Sequence, residues 1–161
     1  MRWWLSHRFD QQARQLADRH YSRQKVGSPQ FVPPGRLLML IAKNGSAVWA
    51  SIWQAQIDHA WKDSWNNCLF RNEGAGLSSE LILEAIAATR WKFGEPPAGG
   101  MITFIDCDAG RKKRDPGRCY RKAGFEPVGY TKVKRKLVLQ MLPDAMPPAR
   151  PPMGSQVELF K

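Results

Sequence analysis

The sequence predicts a mixed α/β fold, with helices packed on one sheet. Three observations carry that expectation. Two apolar runs, 37–42 and 47–53, flank Lys43-Asn44-Gly45-Ser46, and Asn-Gly supplies the positive φ angles of a type I′ hairpin, so the runs pair as antiparallel strands. Two other segments, one after Asp10 and one after Ser78, repeat their apolar residues at helical spacing. Along the chain the order is strand, helix, hairpin, strand, helix, strand, helix, strands. With 161 residues, 43% of them hydrophobic, the chain has the size of one domain around one core. The boundaries are 1–142 for the domain and 143–161 for a proline-rich tail.

Each element has a local cause. Arg2-Trp3-Trp4-Leu5 reads as the first strand. Asp10 offers an N-cap, and Phe9, Ala13, Leu16, Ala17 and His20 share one stripe, so a helix is expected to about Arg23 with His20 at the core edge. Three prolines and two glycines in 26–35 then hold a loop. A strand is expected over 65–71. Ser78 or Ser79 caps the next helix, whose Leu81, Ile82, Ala85, Ile86, Ala88 and Thr89 cover so wide an arc that it must be largely buried; Gly94 and Pro96-Pro97 end it. Residues 101–105 form a short buried strand that delivers Asp106 at its carboxyl end. Asp115 as N-cap and Pro116 at the first helical position start a last helix that closes at Gly124. Residues 126–131 and 134–142 pair around a basic turn, and 157–160 are placed as a docking edge strand.

Lys and Arg number 25 against 14 Asp and Glu, a formal charge of +11. That excess favours a polyanionic partner, because each phosphate neutralised releases counterions. Nucleic acid leads, ahead of small anions or a merely solvated basic surface. The three cysteines are an odd number with no CxxC spacing, which suggests neither a zinc knuckle nor a disulfide framework, and they read as reduced thiols. The amino terminus lacks an apolar signal region, and no stretch approaches the roughly 20 apolar residues that span a bilayer. A cytoplasmic protein with no membrane partner is expected.

Two stretches carry chemistry. In Arg71-Asn72-Glu73-Gly74-Ala75-Gly76, a glycine-rich turn runs into the helix that Ser78 or Ser79 opens, a place where backbone N–H groups can cradle an anion. In Cys119-Tyr120-Arg121-Lys122-Ala123-Gly124-Phe125, a tyrosine sits one turn inside a short helix. A phenol keeps its proton at pH 7 and can hydrogen-bond to developing negative charge. The plainer readings are a capped turn and a packed ring. With the order of elements, these stretches resemble the pyrophosphate loop and the YxKxGF segment of the GNAT acyltransferases, implying a GNAT-like mixed central sheet flanked by helices. In a second register, Gly76 to Leu81, Glu73 stands where that superfamily carries Arg or Gln.

A wider set is similar to the Mom family of phage DNA-modification proteins, a divergent GNAT branch. It comprises His20-Tyr21-Ser22, Phe70-Arg71-Asn72-Glu73, Leu77 to Leu81, Asp106 after Ile102-Thr103-Phe104-Ile105, and Asp115 to Tyr120. The resemblance implies conversion of the N6 amine of adenine in double-stranded DNA to a carbamoylmethyl, acetamido-type derivative that shields phage DNA from host restriction. The family's functional positions fall on His20, Tyr21, Arg71, Ser79, Asp106 and Tyr120. Acetyl-CoA or a related acyl-CoA would be held by Arg71, Gly74, Gly76, Ser78 and Ser79. Iron, also linked to the family, would take His20, Tyr21 and Asp106; a two-His-one-carboxylate site would further need His7 or His59.

The residues are compatible with that chemistry. The lone pair of an exocyclic adenine amine is delocalised into the ring, so a site must take its proton, and Asp106 at the carboxyl end of a strand is placed as that base. His20 could relay the proton. Two other readings stay open: an acetyl-CoA-dependent N-acetyltransferase acting on an amine of a small molecule, protein or hypermodified base, and a noncatalytic nucleic-acid binder on the same scaffold. For DNA, three basic groups stand out: Arg111 to Arg114, Lys132 to Lys136, and Arg14, Arg19, Arg23 and Lys25. Trp61, Trp65 or Phe31 would stack on a displaced base.

Overall fold

The computed structural model describes residues 1–20, 25–54, 60–107 and 115–155. Among them the chain forms β1 (Trp3–Leu5), α1 (Gln11–Asp18), β2 (Arg36–Ala42), β3 (Ala47–Trp53), β4 (Trp65–Asn72), α2 (Ser78–Phe93), β5 (Met101–Ile105), α3 (Arg118–Ala123), β6 (Glu126–Tyr130) and β7 (Leu137–Met141). The strands make one seven-stranded sheet in the order β1-β2-β3-β4-β5-β7-β6, antiparallel except where β4 and β5 run parallel. The mixed α/β class read from the sequence is the class observed, and its layout is compatible with a GNAT-like fold.

The apolar runs of β2 and β3 are continuous because both faces of the sheet are covered. Leu38, Leu40, Ala42, Ala47 and Trp49 pack with α2, while the alternate residues Met39, Val48 and Ala50 pack with Ala13, Leu16 and Ala17 of α1. The turn between these strands has the positive φ angles that Asn-Gly provides, 61° at Asn44 and 66° at Gly45, and Ser46 N donates to Lys43 O at 3.3 Å. A buried polar bridge ties sheet to helix: Trp49 Nε1 donates to Ser51 Oγ (2.6 Å), which lies 2.8 Å from Thr89 Oγ1.

Several boundaries differ from the sequence expectation. Asp10 does cap α1, its carboxylate accepting from Gln12 N and Ala13 N, yet the helix ends at Asp18, short of Arg23. Phe9 precedes that cap, so it lies outside the helical period and is 66% exposed. Neither Ser78 nor Ser79 caps α2. Leu77 occupies the N-cap without a side-chain bond, and Ser78 Oγ instead accepts from Asn72 Nδ2 at 2.9 Å. The last helix starts two residues past Pro116, behind Gly117 at φ 74°, because Asp115 turns to pair with Arg121. In its described part the proline-rich segment opens with a 3-10 turn over Pro143–Ala145 and then docks: Met146 is buried in the core, Arg150 N donates to Ala87 O at 3.0 Å, and Leu5 N donates to Gly154 O at 2.7 Å. The edge strand expected over 157–160 lies outside the described residues.

Candidate active-site cleft

The site begins with a fault in β4. Ala50 pairs with Leu69 but Ser51 pairs with Asn67, leaving Cys68 as an extra residue. The bulge reverses the alternation of faces, so Trp65 joins the α2 side and Leu69 the α1 side although they are four residues apart. The buried Asn67 plugs the fault, its Nδ2 donating to Ala50 O (3.0 Å) and Leu69 O (2.9 Å). At the same level the neighbours part. The parallel pairing of β4 with β5 runs from Trp65–Met101 to Asn67–Thr103; beyond it β4 follows β3 to Asn72 and β5 follows β7 to Ile105.

A cleft of about 340 Å³ opens in that gap, within the usual range of small-ligand sites. His20, Asp106 and Tyr120 all line it, although they come from the end of α1, the end of β5 and the middle of α3. Arg71, Ser78 and Lys136 also reach it. Tyr120 is only 7% exposed, and its hydroxyl donates to Asn67 Oδ1 at 2.6 Å, an oxygen that Thr103 Oγ1 also approaches at 3.2 Å. The phenolic proton is therefore held by the plug of the bulge, and the ring is wedged edge-on between Phe70 and Phe125. Burial pushes the Cys68 thiol up to about 12, so it stays protonated at neutral pH and supplies no thiolate nucleophile.

The remaining expected site residues lie elsewhere or are differently engaged. Tyr21 is outside the described residues, as are Arg23, His59 and Arg111 to Arg114. Gly74, Gly76 and Ser79 do not line the cleft, nor does His7. Among the described residues no group of three or more His, Cys, Asp and Glu could hold a metal ion; Tyr21 and His59, the further ligands expected for iron, lie outside them. Of the three expected stacking rings, Trp65 is wholly buried in the core and Trp61 packs on Phe104; the aromatic residues on the cleft wall are Phe70, Phe104 and Tyr120.

The glycine loop is internally satisfied. Asn72 Oδ1 accepts from Gly74 N (3.2 Å) and Ala75 N (2.9 Å), the amides a phosphate would use. Arg71 Nε and Arg19 Nη2 both hold Glu73 Oε2, at 3.0 and 2.9 Å, and these bonds, Arg19's first, keep the Glu73 carboxyl below its ordinary range. Arg2, packed against Gly76, is taken by Glu80 and Glu84. A diphosphate bound here would take the place of Asn72 on two amides and of Glu73 on two guanidinium groups.

Fold and cleft together define a class: a mixed α/β protein with a polar, partly aromatic crevice where two parallel strands separate. No family model, curated protein or solved structure matches the chain.

Proposed function

We propose that this protein modifies the N6 amine of adenine in duplex DNA, attaching an acetamido-type group in the manner of the Mom family it resembles. The convergence of His20, Asp106 and Tyr120 on one cleft carries this reading. A carboxylate, an imidazole and a phenol set around an amine are the groups needed to take a proton from nitrogen and to stabilise charge on a departing group. The N6 nitrogen forms the new N–C bond to an activated acetamido donor, the donor's leaving group departs with the bonding electrons, and the amine proton passes to Asp106. Tyr120 stands by as a hydrogen-bond donor once its hydroxyl turns from Asn67. Lys136 on the cleft rim and the net charge of +11 favour a phosphate-bearing substrate over a neutral amine.

Expression of the chain in a bacterium, followed by digestion of its DNA and mass spectrometry, should reveal a new adenine nucleoside. Asp106→Ala and Tyr120→Phe should each lower its yield by about 100-fold, the scale of a lost acid–base group. Parental yields from both folded variants would remove these side chains from the chemistry; an acetylated base would shift the reading to an N-acetyltransferase.

A further inference from the structure

Among the described residues, three buried side-chain polar atoms have no hydrogen-bond partner: Arg14 Nε, Trp65 Nε1 and Asn66 Oδ1. An unpaired buried acceptor is costly and calls for an explanation. Of the three residues, Asn66 alone stands on the cleft wall. Its neighbour makes the contrast clear. Asn67 spends both amide protons on carbonyls and its oxygen on Tyr120 and Thr103, as a structural carboxamide does. Asn66 pairs through its backbone with β5 opposite Ile102, at the last rungs before the strands part, and its carboxamide oxygen is left unspent.

Side chains that hold a cleft together are bonded to the protein, so an unsatisfied acceptor on the wall is a group waiting for a donor from a ligand. Asn is also suited to adenine, because one carboxamide accepts from the exocyclic N6 amine and donates to the adjacent N7 in a single plane. Phe104, one strand away, also lines the cleft and adds aromatic surface to it.

We propose that Asn66 is a specificity-determining residue of the cleft. Oδ1 takes an N–H of the substrate's exocyclic amine and Nδ2 meets the neighbouring ring nitrogen. This rests on the reading of the cleft as an adenine site. Asn66 thus selects and orients the amine, while Asp106 receives its proton.

The test uses the full chain and two single-stranded oligothymidines, one with a central adenine and one with purine, which lacks the amine, so that no base need leave a duplex. Fluorescence anisotropy is read at a salt concentration that screens phosphate contacts. The parent protein should favour adenine by on the order of tenfold to a hundredfold. Asn66→Leu, which removes the acceptor, should bring that preference to within about twofold, whereas Asn66→Asp, which keeps an acceptor for the amine but loses the donor to the ring nitrogen, should retain a preference while binding both strands more weakly. An unchanged preference in Asn66→Leu, or none in the parent, overturns the proposal. Nucleoside analysis separates the two ideas. A preference that depends on Asn66 without any new adenine nucleoside would sink the enzymatic reading alone, and equal modification by parent and Asn66→Leu would sink this one alone.

Discussion

Tyr120 and Asn67 form the best-supported contact in the cleft, and only one of them was legible beforehand. Tyr120 stands in a local pattern, a short helix closed by Gly124 in the left-handed region and followed by an aromatic, and such patterns survive in one dimension. Asn67 has no such signature. Its value comes from β3, β5 and α3 meeting at a bulge, and a strand asparagine alone gives no sign of that. Asn67→Ala strips the plug and leaves Ala50 O and Leu69 O short of partners, so urea denaturation should show a loss of roughly 2–4 kcal/mol. A loss below about 0.5 kcal/mol, the level of an ordinary surface change, would mean that the bulge holds without it.

The β6–β7 hairpin shows what an element adds to its residues. Thr131 N donates to Lys136 O at 2.9 Å and Lys136 N to Thr131 Oγ1 at 3.0 Å, closing a loop that carries Lys132, Lys134 and Arg135. Val133 at its tip is 93% exposed, and Arg135 lies 5.4 Å from the centre of the Tyr130 ring. Lys136 also borders the cleft, so under the proposed function this loop would meet the phosphates that flank a target base. Replacing Lys132, Lys134 and Arg135 by alanine should reduce the slope of log affinity for duplex DNA against log salt by roughly two to three. An unchanged slope would remove the hairpin from the interface. At the start of α3 only glycine fits: a Cβ on Gly117 would lie 2.7 Å from Leu139 Cδ1, at a φ of 74°. Gly117→Ala should therefore destabilise the protein by about 1–3 kcal/mol in a thermal melt and disturb the Tyr120 ring; an unshifted melting temperature would show that α3 rearranges freely.

Across the molecule, a charge of +11 makes each carboxylate that neutralises arginine count toward stability. Glu73 joins the end of α1 to β4 through Arg19 and Arg71, and its folded-state value is lowered by those bonds. A lowered carboxyl contributes stability that is fully present above its unfolded value, about 4.3, and is lost as pH falls through the folded one. Glu73→Gln should flatten the acid limb of a stability–pH curve below about pH 4.3 and leave its slope near neutrality unchanged; an identical acid limb would show that the pair adds nothing to folding. Elements, the class of fold and the excess of positive charge could be read from the chain because periodicity, turn chemistry and composition are local or additive quantities. Where β4 and β5 part, which histidine and carboxylate share the gap, and which of two adjacent asparagines is left with an unspent acceptor were decided by packing, since each depends on contacts between segments that the order of residues does not bring together.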